Sequence, residues 1–334
     1  METARQDSRA AAEAEPDLGL ITEIAVLYYL EEVTQEDLAK RFGMSRARVG
    51  RLLRRARELG VVDIRVQAPR SVQADVETEL NRRFGLDRVL LALDQSDEDA
   101  QRAAVAGLVA DHLNRTLAND MIIAVGMGRN VGAVADNSFS PDRRRVVFVS
   151  AIGGSSRAGE YMNSDHISRR LAARFGGESE TLYAPALVSE PQLRAALIAN
   201  DTVRQTLDRA RRADIALIGV GDVSENSNMV RMGWFSQQEI VEARLSGTVG
   251  DMMGYDFIDI DGKPSHVAMQ NRVIGLSTAD LRRIPDVVAI ASESSKAAGI
   301  LGALRTGTIN TLATSVSNAR LVLQLDDSTR GARG

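Results

Sequence analysis

The chain has 334 residues, 41 of them Lys or Arg and 45 Asp or Glu, for a formal net charge of −4. That length predicts two domains, and 44% hydrophobic with 26% charged residues excludes a disordered or fibrous chain. Cysteine is absent, which excludes disulfides and thiolate chemistry, and the acidic average taken alone argues against a nucleic-acid partner.

Residues 1–17 are polar and aperiodic and read as a flexible tail. Helical spacing then begins at Leu20, Ile24, Leu27 and Tyr28. Thr34, with Asp37 three residues later, is a candidate N-cap for a second helix. Gly43 permits a turn with positive φ, Ser45 caps a third helix to about Leu59, and Gly60 ends it. VVDIRVQ (61–67) alternates as a strand, a candidate wing, and 69–86 reads as a linker helix. From residue 87 to about 325 short apolar runs alternate with helices. The strand candidates are 88–93, 121–126, 145–150, 214–221, 286–291 and 309–314, with helices expected at 98–117, 164–175, 190–211 and 295–305. That alternation predicts an α/β domain with a parallel sheet covered on both faces.

The charge is uneven. Residues 1–37 carry ten acids and two arginines, net −8, whereas 38–70 carry ten basic residues and two acids, net +8. Salt screens charges over about 8–10 Å, so a ligand meets the local value rather than the average. Residues 35–53 have what a helix-turn-helix requires: small Ala39 at the crossing, Gly43 in the turn, and Leu38, Val49 and Leu52 as a shared core. On a helical wheel Val49, Leu52, Ala56 and Leu59 share one face, leaving Arg46, Arg51, Arg54 and Arg57 on the side free to enter a major groove. Ser45, Arg46, Ala47, Gly50 and Arg51 sit near the end where bases are read. Arg46 and Arg51 are the candidates for bidentate guanine contacts, and Arg48, Arg54, Arg55 and Arg57 for phosphates.

The run Tyr28, Tyr29, Thr34, Gln35, Ala39, Gly43, Ser45, Arg46, Val49, Arg51, Leu52, Leu53 resembles the N-terminal segment of the SorC family of bacterial transcriptional regulators. Gly50 departs from the serine common there. The resemblance implies a winged-type helix-turn-helix that binds double-stranded operator DNA, with Gln35 joining the contacting residues.

In the second domain, glycine-bearing turns follow strands at 124–130, 150–160, 219–226 and 291–300. In a parallel sheet these gather at the carboxyl edge, where ligands bind. The first lacks both the dinucleotide spacing and the P-loop lysine. Only three lysines occur (Lys40, Lys263, Lys296), and Lys296 opens a helix after a strand, as an anion-binding lysine does. Over residues 70–325 the chain resembles the SorC-type sensor domain, whose fold is that of sugar-phosphate isomerases and deaminases. The matches are Gly126, Gly128 and Arg129; Gly153, Gly154 and Asn163; Ala184, Pro185 and Ala186; Asp251 with its flanking glycines; and Lys296. The resemblance implies that Gly128, Arg129, Asn130 and Lys296 cradle an effector phosphate, while Gly153, Gly154, Asn163 and the Asp251 stretch line the rest.

The departures cluster at this site: Asn130 replaces a threonine, Ser292 and Glu293 replace two glycines, and Ser315 replaces an aspartate. Glu293 sets a carboxylate against a would-be phosphate, which favours an unphosphorylated sugar or polyol. The expected function is a cytoplasmic, homodimeric or homotetrameric regulator of a carbohydrate or polyol operon, with a sugar, sugar phosphate or polyol as effector. No metal and no cofactor is expected, since His112, His166 and His266 lie far apart. The alternative is a sugar-phosphate isomerase or deaminase with an appended DNA-binding domain, drawing acid/base chemistry from Asp251, Asp256, Asp259 and Asp261.

Overall fold

The computed structural model describes residues 18–331 except 63–69, 139, 141–142, 157, 160, 226 and 267–270. The chain divides into two units, Met1–Gln67 and Ala68–Gly334.

The first unit holds α1 (Leu18–Tyr29), α2 (Gln35–Arg41) and α3 (Arg46–Glu58). Thr34 caps α2: its Oγ1 accepts from the Asp37 amide at 3.2 Å and donates to the Asp37 carboxylate at 2.7 Å. Gly43 turns the chain with φ +62°, and Ser45 Oγ caps α3 by accepting from the Arg48 amide at 3.3 Å. Ile24, Leu27, Leu38, Val49 and Leu53 form the core that joins the three helices. The helical wheel was off by one step at the C-terminal end of α3. Leu53 is buried where Leu52 is half-buried, and Leu59, the C-cap residue just beyond α3, is exposed. Val61 and Val62 pack partly against Ile21, Ala25 and Ala56. The remainder of the expected wing, 63–67, lies outside the described residues.

The second unit begins with α4 (Arg70–Phe84). It continues through β1 (Arg88–Ala92), α5 (Glu98–Thr116), β2 (Ile122–Val125), α6 (Arg129–Asp136), β3 (Val147–Ser150), α7 (Ser164–Phe175) and β4 (Glu178–Glu180). Next come α8 (Pro191–Ala199), α9 (Asp201–Ala210), β5 (Ile215–Asp222), α10 (Asn228–Arg231), α11 (Gln237–Leu245), β6 (Thr248–Met252) and β7 (Asp256–Asp259). The chain closes with α12 (Thr278–Leu281), β8 (Asp286–Ile290), a 3₁₀ turn (Ser294–Lys296), α13 (Ala297–Arg305), β9 (Thr311–Ser315) and α14 (Val316–Gly331).

The strands lie in the order β1-β9-β8-β5-β2-β3-β4, parallel throughout. One face is covered by α5, α6 and α7 through residues such as Val109, Leu113, Val131, Leu171 and Phe175. The other is covered by α4, α13 and α14 through Leu80, Ile300, Leu301, Ala319 and Val322. The helix expected as a linker, α4, is packed into this unit, with Leu80 fully buried and contacts to β1 and α14.

Three features depart from the sequence expectation. The single helix expected at 190–211 is two, because Asn200 adopts an extended backbone and its Oδ1 accepts from the amides of Thr202 and Val203, capping α9 anew. The edge strand β4 is polar and three residues long, so it has no hydrophobic signature. The third is the hairpin β6–β7, whose β6 pairs antiparallel with the end of β5. Among the described residues no helix is long and apolar enough to cross a membrane.

Candidate functional site

The DNA-facing candidates lie on α3 and its cap. Ser45, Arg46, Ala47, Arg48, Arg51, Arg54 and Arg55 are all exposed, while Gln35 and Gly50 are half-buried. Arg55 pairs with Glu58 at 3.0 Å, whereas among the described residues Arg46, Arg48, Arg51 and Arg54 make no ion pair. Burial of Val49, Leu53 and Ala56 fixes the helix against α1 and α2 and turns its arginines outward. Space does not dictate Gly50: a β-carbon there would lie 3.7 Å from Gln35 Oε1, an ordinary contact.

In the second unit, β2, β5 and β8 are adjacent, so the loops after them meet at one carboxyl edge. They enclose a cavity of about 280 Å³. Its lining includes Gly128, Arg129, Asn130, Asp222, Asp251, Glu293 and Lys296 together with the apolar Met127, Met229, Met232 and Met253. Gly128 precedes α6 with φ +106°, a conformation that favours glycine, and no side chain caps that helix.

Glu293 is the hub. Lys296 Nζ lies 2.8 Å from one carboxylate oxygen, which also accepts from Asn130 Nδ2 at 2.8 Å. Arg129 and Arg102 approach the other oxygen at 3.6 and 3.4 Å. Asn130 is fixed in turn, because its Oδ1 accepts from Ser292 Oγ at 2.7 Å. Asn318 at the start of α14 donates to the carbonyls of Ser292 and Glu293, anchoring the loop from behind. Burial alone pushes the Glu293 carboxyl up, but Lys296 and the Asn130 amide outweigh it and hold the group far below the usual carboxylate range.

Asp251 is the opposite case. It is fully buried on β6; one oxygen accepts from the Gly254 amide at 2.6 Å and the other has no hydrogen-bond partner among the described residues. Burial raises its pKa to about 7, with Asp222 and Asp256 adding to the rise and the Gly254 amide and Lys296 opposing it. The folded chain therefore holds this proton more tightly than the unfolded one. Stability from this group is fully present below the ordinary carboxyl range and is lost as the pH rises toward 7. Relative to Asp251→Asn, the natural protein is expected to lose stability progressively between about pH 4 and about pH 7. Urea midpoints across that range check this, and a constant difference would contradict it.

Six of the ten expected effector residues line the cavity: Gly128, Arg129, Asn130, Asp251, Glu293 and Lys296. Gly126, Gly153, Gly154 and Asn163 do not, for backbone reasons. Gly126 donates to Leu217 O, and a β-carbon there would meet that oxygen at 2.8 Å. Gly153 packs against Ala184 and Pro185, and Gly154 exchanges backbone hydrogen bonds with Ala184 and Ala186. Asn163 bonds Ser155 and Gly159, holding a loop together. Nor do Asp256 and Asp259 face the cavity: Asp256 accepts from Thr278, and Asp259 from the amides of Asp261 and Lys263. Residues that sequence reasoning missed are Asp222, Arg102 and the four methionines. Apolar Met in a core-like pattern gives no sign that it borders a cavity.

A family model described as "Putative sugar-binding domain" matches residues 69–324, and one for sigma-70 region 4 matches residues 22–58. A transcriptional regulator LsrR of an Enterobacter strain is 30% identical over 96% of this chain and 97% of its own. The crystal structure of the full-length sorbitol operon regulator SorC from Klebsiella pneumoniae is 28% identical, with a TM-score of 0.73 over 93% of this chain and 100% of that one. A sugar-binding domain of a transcriptional repressor from Vibrio fischeri is 51% identical, with a TM-score of 0.71 over 76% of this chain and 99% of its own.

Proposed function

The chain belongs to the SorC family of sugar-binding transcriptional regulators, and we propose from that premise how it works. It binds operator DNA through α3 and controls a carbohydrate or polyol catabolic operon. A small carbohydrate effector occupies the cavity bounded by Gly128, Asp251, Glu293 and Lys296, and effector binding biases the arrangement of the DNA-reading units. One helix reads only a few base pairs, so the working form is a homodimer or homotetramer. Residues 18–68 are the reader, and the sensor joins α4 to 87–325.

The observation that carries this reading is the pairing of two surfaces in one chain. Exposed arginines, four of them without an ion pair among the described residues, stand on a helix-turn-helix, and a small, partly polar cavity lies at the carboxyl edge of a parallel sheet. The enzymatic alternative draws less support. Asp256 and Asp259 hold turns rather than face the cavity, and the relatives are named as regulators. Lys296→Ala is expected to abolish the effector response while leaving DNA affinity within twofold. Fluorescence anisotropy of a bound operator fragment, with and without effector, tests this; a variant that still responds fully would remove Lys296 from the site.

A further inference from the structure

The cavity contains cations, but the protein has already spent them on itself. Lys296 and Arg129 both turn to Glu293, and Arg102 reaches the same carboxylate from behind. The remaining lining cation, Arg231, is exposed. Against these stand Glu98, Asp222, Asp251 and Glu293 in the same lining. No surplus positive charge is left for an anionic ligand. Glu293 is itself buried, and both of its oxygens are occupied.

We infer that Glu293 acts as a built-in anion that fills the cation cluster, so that the cavity selects an uncharged polyhydroxylated carbohydrate and rejects its phosphorylated form. This rests on the effector-controlled regulator proposed above. A phosphate monoester brings between about −1.5 and −2 charges at neutral pH, and to be paired it must pull Lys296 and Arg129 off a buried carboxylate. Uncharged hydroxyls meet no such competition. Asp251 offers a buried oxygen that has no hydrogen-bond partner among the described residues, and Asp222 lies in the same lining. Met127, Met229, Met232 and Met253 add apolar surface to the same lining, which suits the C–H groups of a sugar or polyol. A volume of about 280 Å³ suits a single small carbohydrate rather than an oligosaccharide.

The test uses the full chain and its single tryptophan. Binding is read by titration calorimetry, with the fluorescence of Trp234, which donates its indole N–H to Ser155 Oγ at 3.2 Å and lies beside the lining residue Gly254, as a second signal. Erythritol, sorbitol, ribose and glucose are titrated beside ribose 5-phosphate, glucose 6-phosphate and inorganic phosphate. The natural protein is expected to bind at least one uncharged probe, and each phosphorylated probe at least tenfold more weakly than its uncharged parent. Glu293→Gln keeps the shape and the Asn130 contact but frees the cations, so its affinity for inorganic phosphate should rise at least tenfold. A sugar phosphate that binds the natural protein more tightly than its parent sugar overturns the inference, and so does a folded Glu293→Gln variant with no gain for phosphate. If sugar phosphates bind and alter DNA retention, the regulator reading stands and only the selectivity falls. If no carbohydrate of either kind alters DNA retention, the regulator reading falls and takes the inference with it.

Discussion

Asp326→Ala should destabilise the second unit by about 3–5 kcal/mol, the usual cost of stripping one partner from a buried ion pair. Asp326 on α14 is fully buried, with Arg305 at 2.7 Å, Arg330 at 2.9 Å and Arg83 at 3.1 Å. Burial opposes its ionisation, but the hydrogen bonds from Arg305, Arg83 and Arg330 prevail and lower its pKa. Stability from this group is therefore present above the ordinary carboxyl range and is lost as the pH falls through the depressed value. Removing the carboxylate leaves the guanidinium groups of Arg83 and Arg305 largely buried and undercompensated. Asp327 still pairs with Arg83, and Asp261 with Arg305 at 3.6 Å, which draws the expected loss toward the lower end. Urea unfolding at neutral pH measures it, with Asp326→Asn as the shape-preserving control. A loss under about 1 kcal/mol would mean that the cluster is solvated rather than buried.

Arg51→Ala is expected to weaken operator binding by about 1–3 kcal/mol and to relax the base preference at one position. Arg51 is exposed on α3, makes no ion pair among the described residues, and lies away from the face buried by Val49 and Leu53. Arg54→Ala, on the same helix, should instead lower affinity for all sequences alike and reduce the salt slope by about one. Competition binding to single-base operator variants at several salt concentrations separates the two. Unchanged base preference in Arg51→Ala would speak against docking of this helix end in a groove.

Both units were largely legible in the sequence because both follow local rules. The caps at Thr34 and Ser45 and the positive φ at Gly43 depend on neighbours within three residues. The near-continuous apolar strands that form β2, β3, β5 and β8 announce a buried parallel sheet. What escaped is what depends on contacts distant in sequence. β4 is a strand only because Val147 and its neighbours pair with it. The β6–β7 hairpin brings Asp251 against Gly221, where its carboxylate packs so closely that a β-carbon has no room.

The site was half legible. Gly128, Asn130, Glu293 and Lys296 converge because they follow β2 and β8, the two strands that flank β5 in the sheet. Gly126 and Gly153 have the same sequence signature but serve close backbone packing, and Gly154 has open space beside it. A glycine pattern records a need for space and not what fills it. Arg102 was invisible for a different reason. It lies on α5, far along the chain from Glu293, and its partnership exists only in the folded structure.

The most direct measurement is selection of bound fragments from a library of genomic DNA by the purified full-length chain, repeated with a panel of sugars and polyols. Recovery of a shared operator motif whose retention changes with one uncharged member of the panel is the predicted result. Fragments with no common sequence, or retention indifferent to every carbohydrate tried, would contradict the reading of this chain as an effector-controlled DNA-binding regulator.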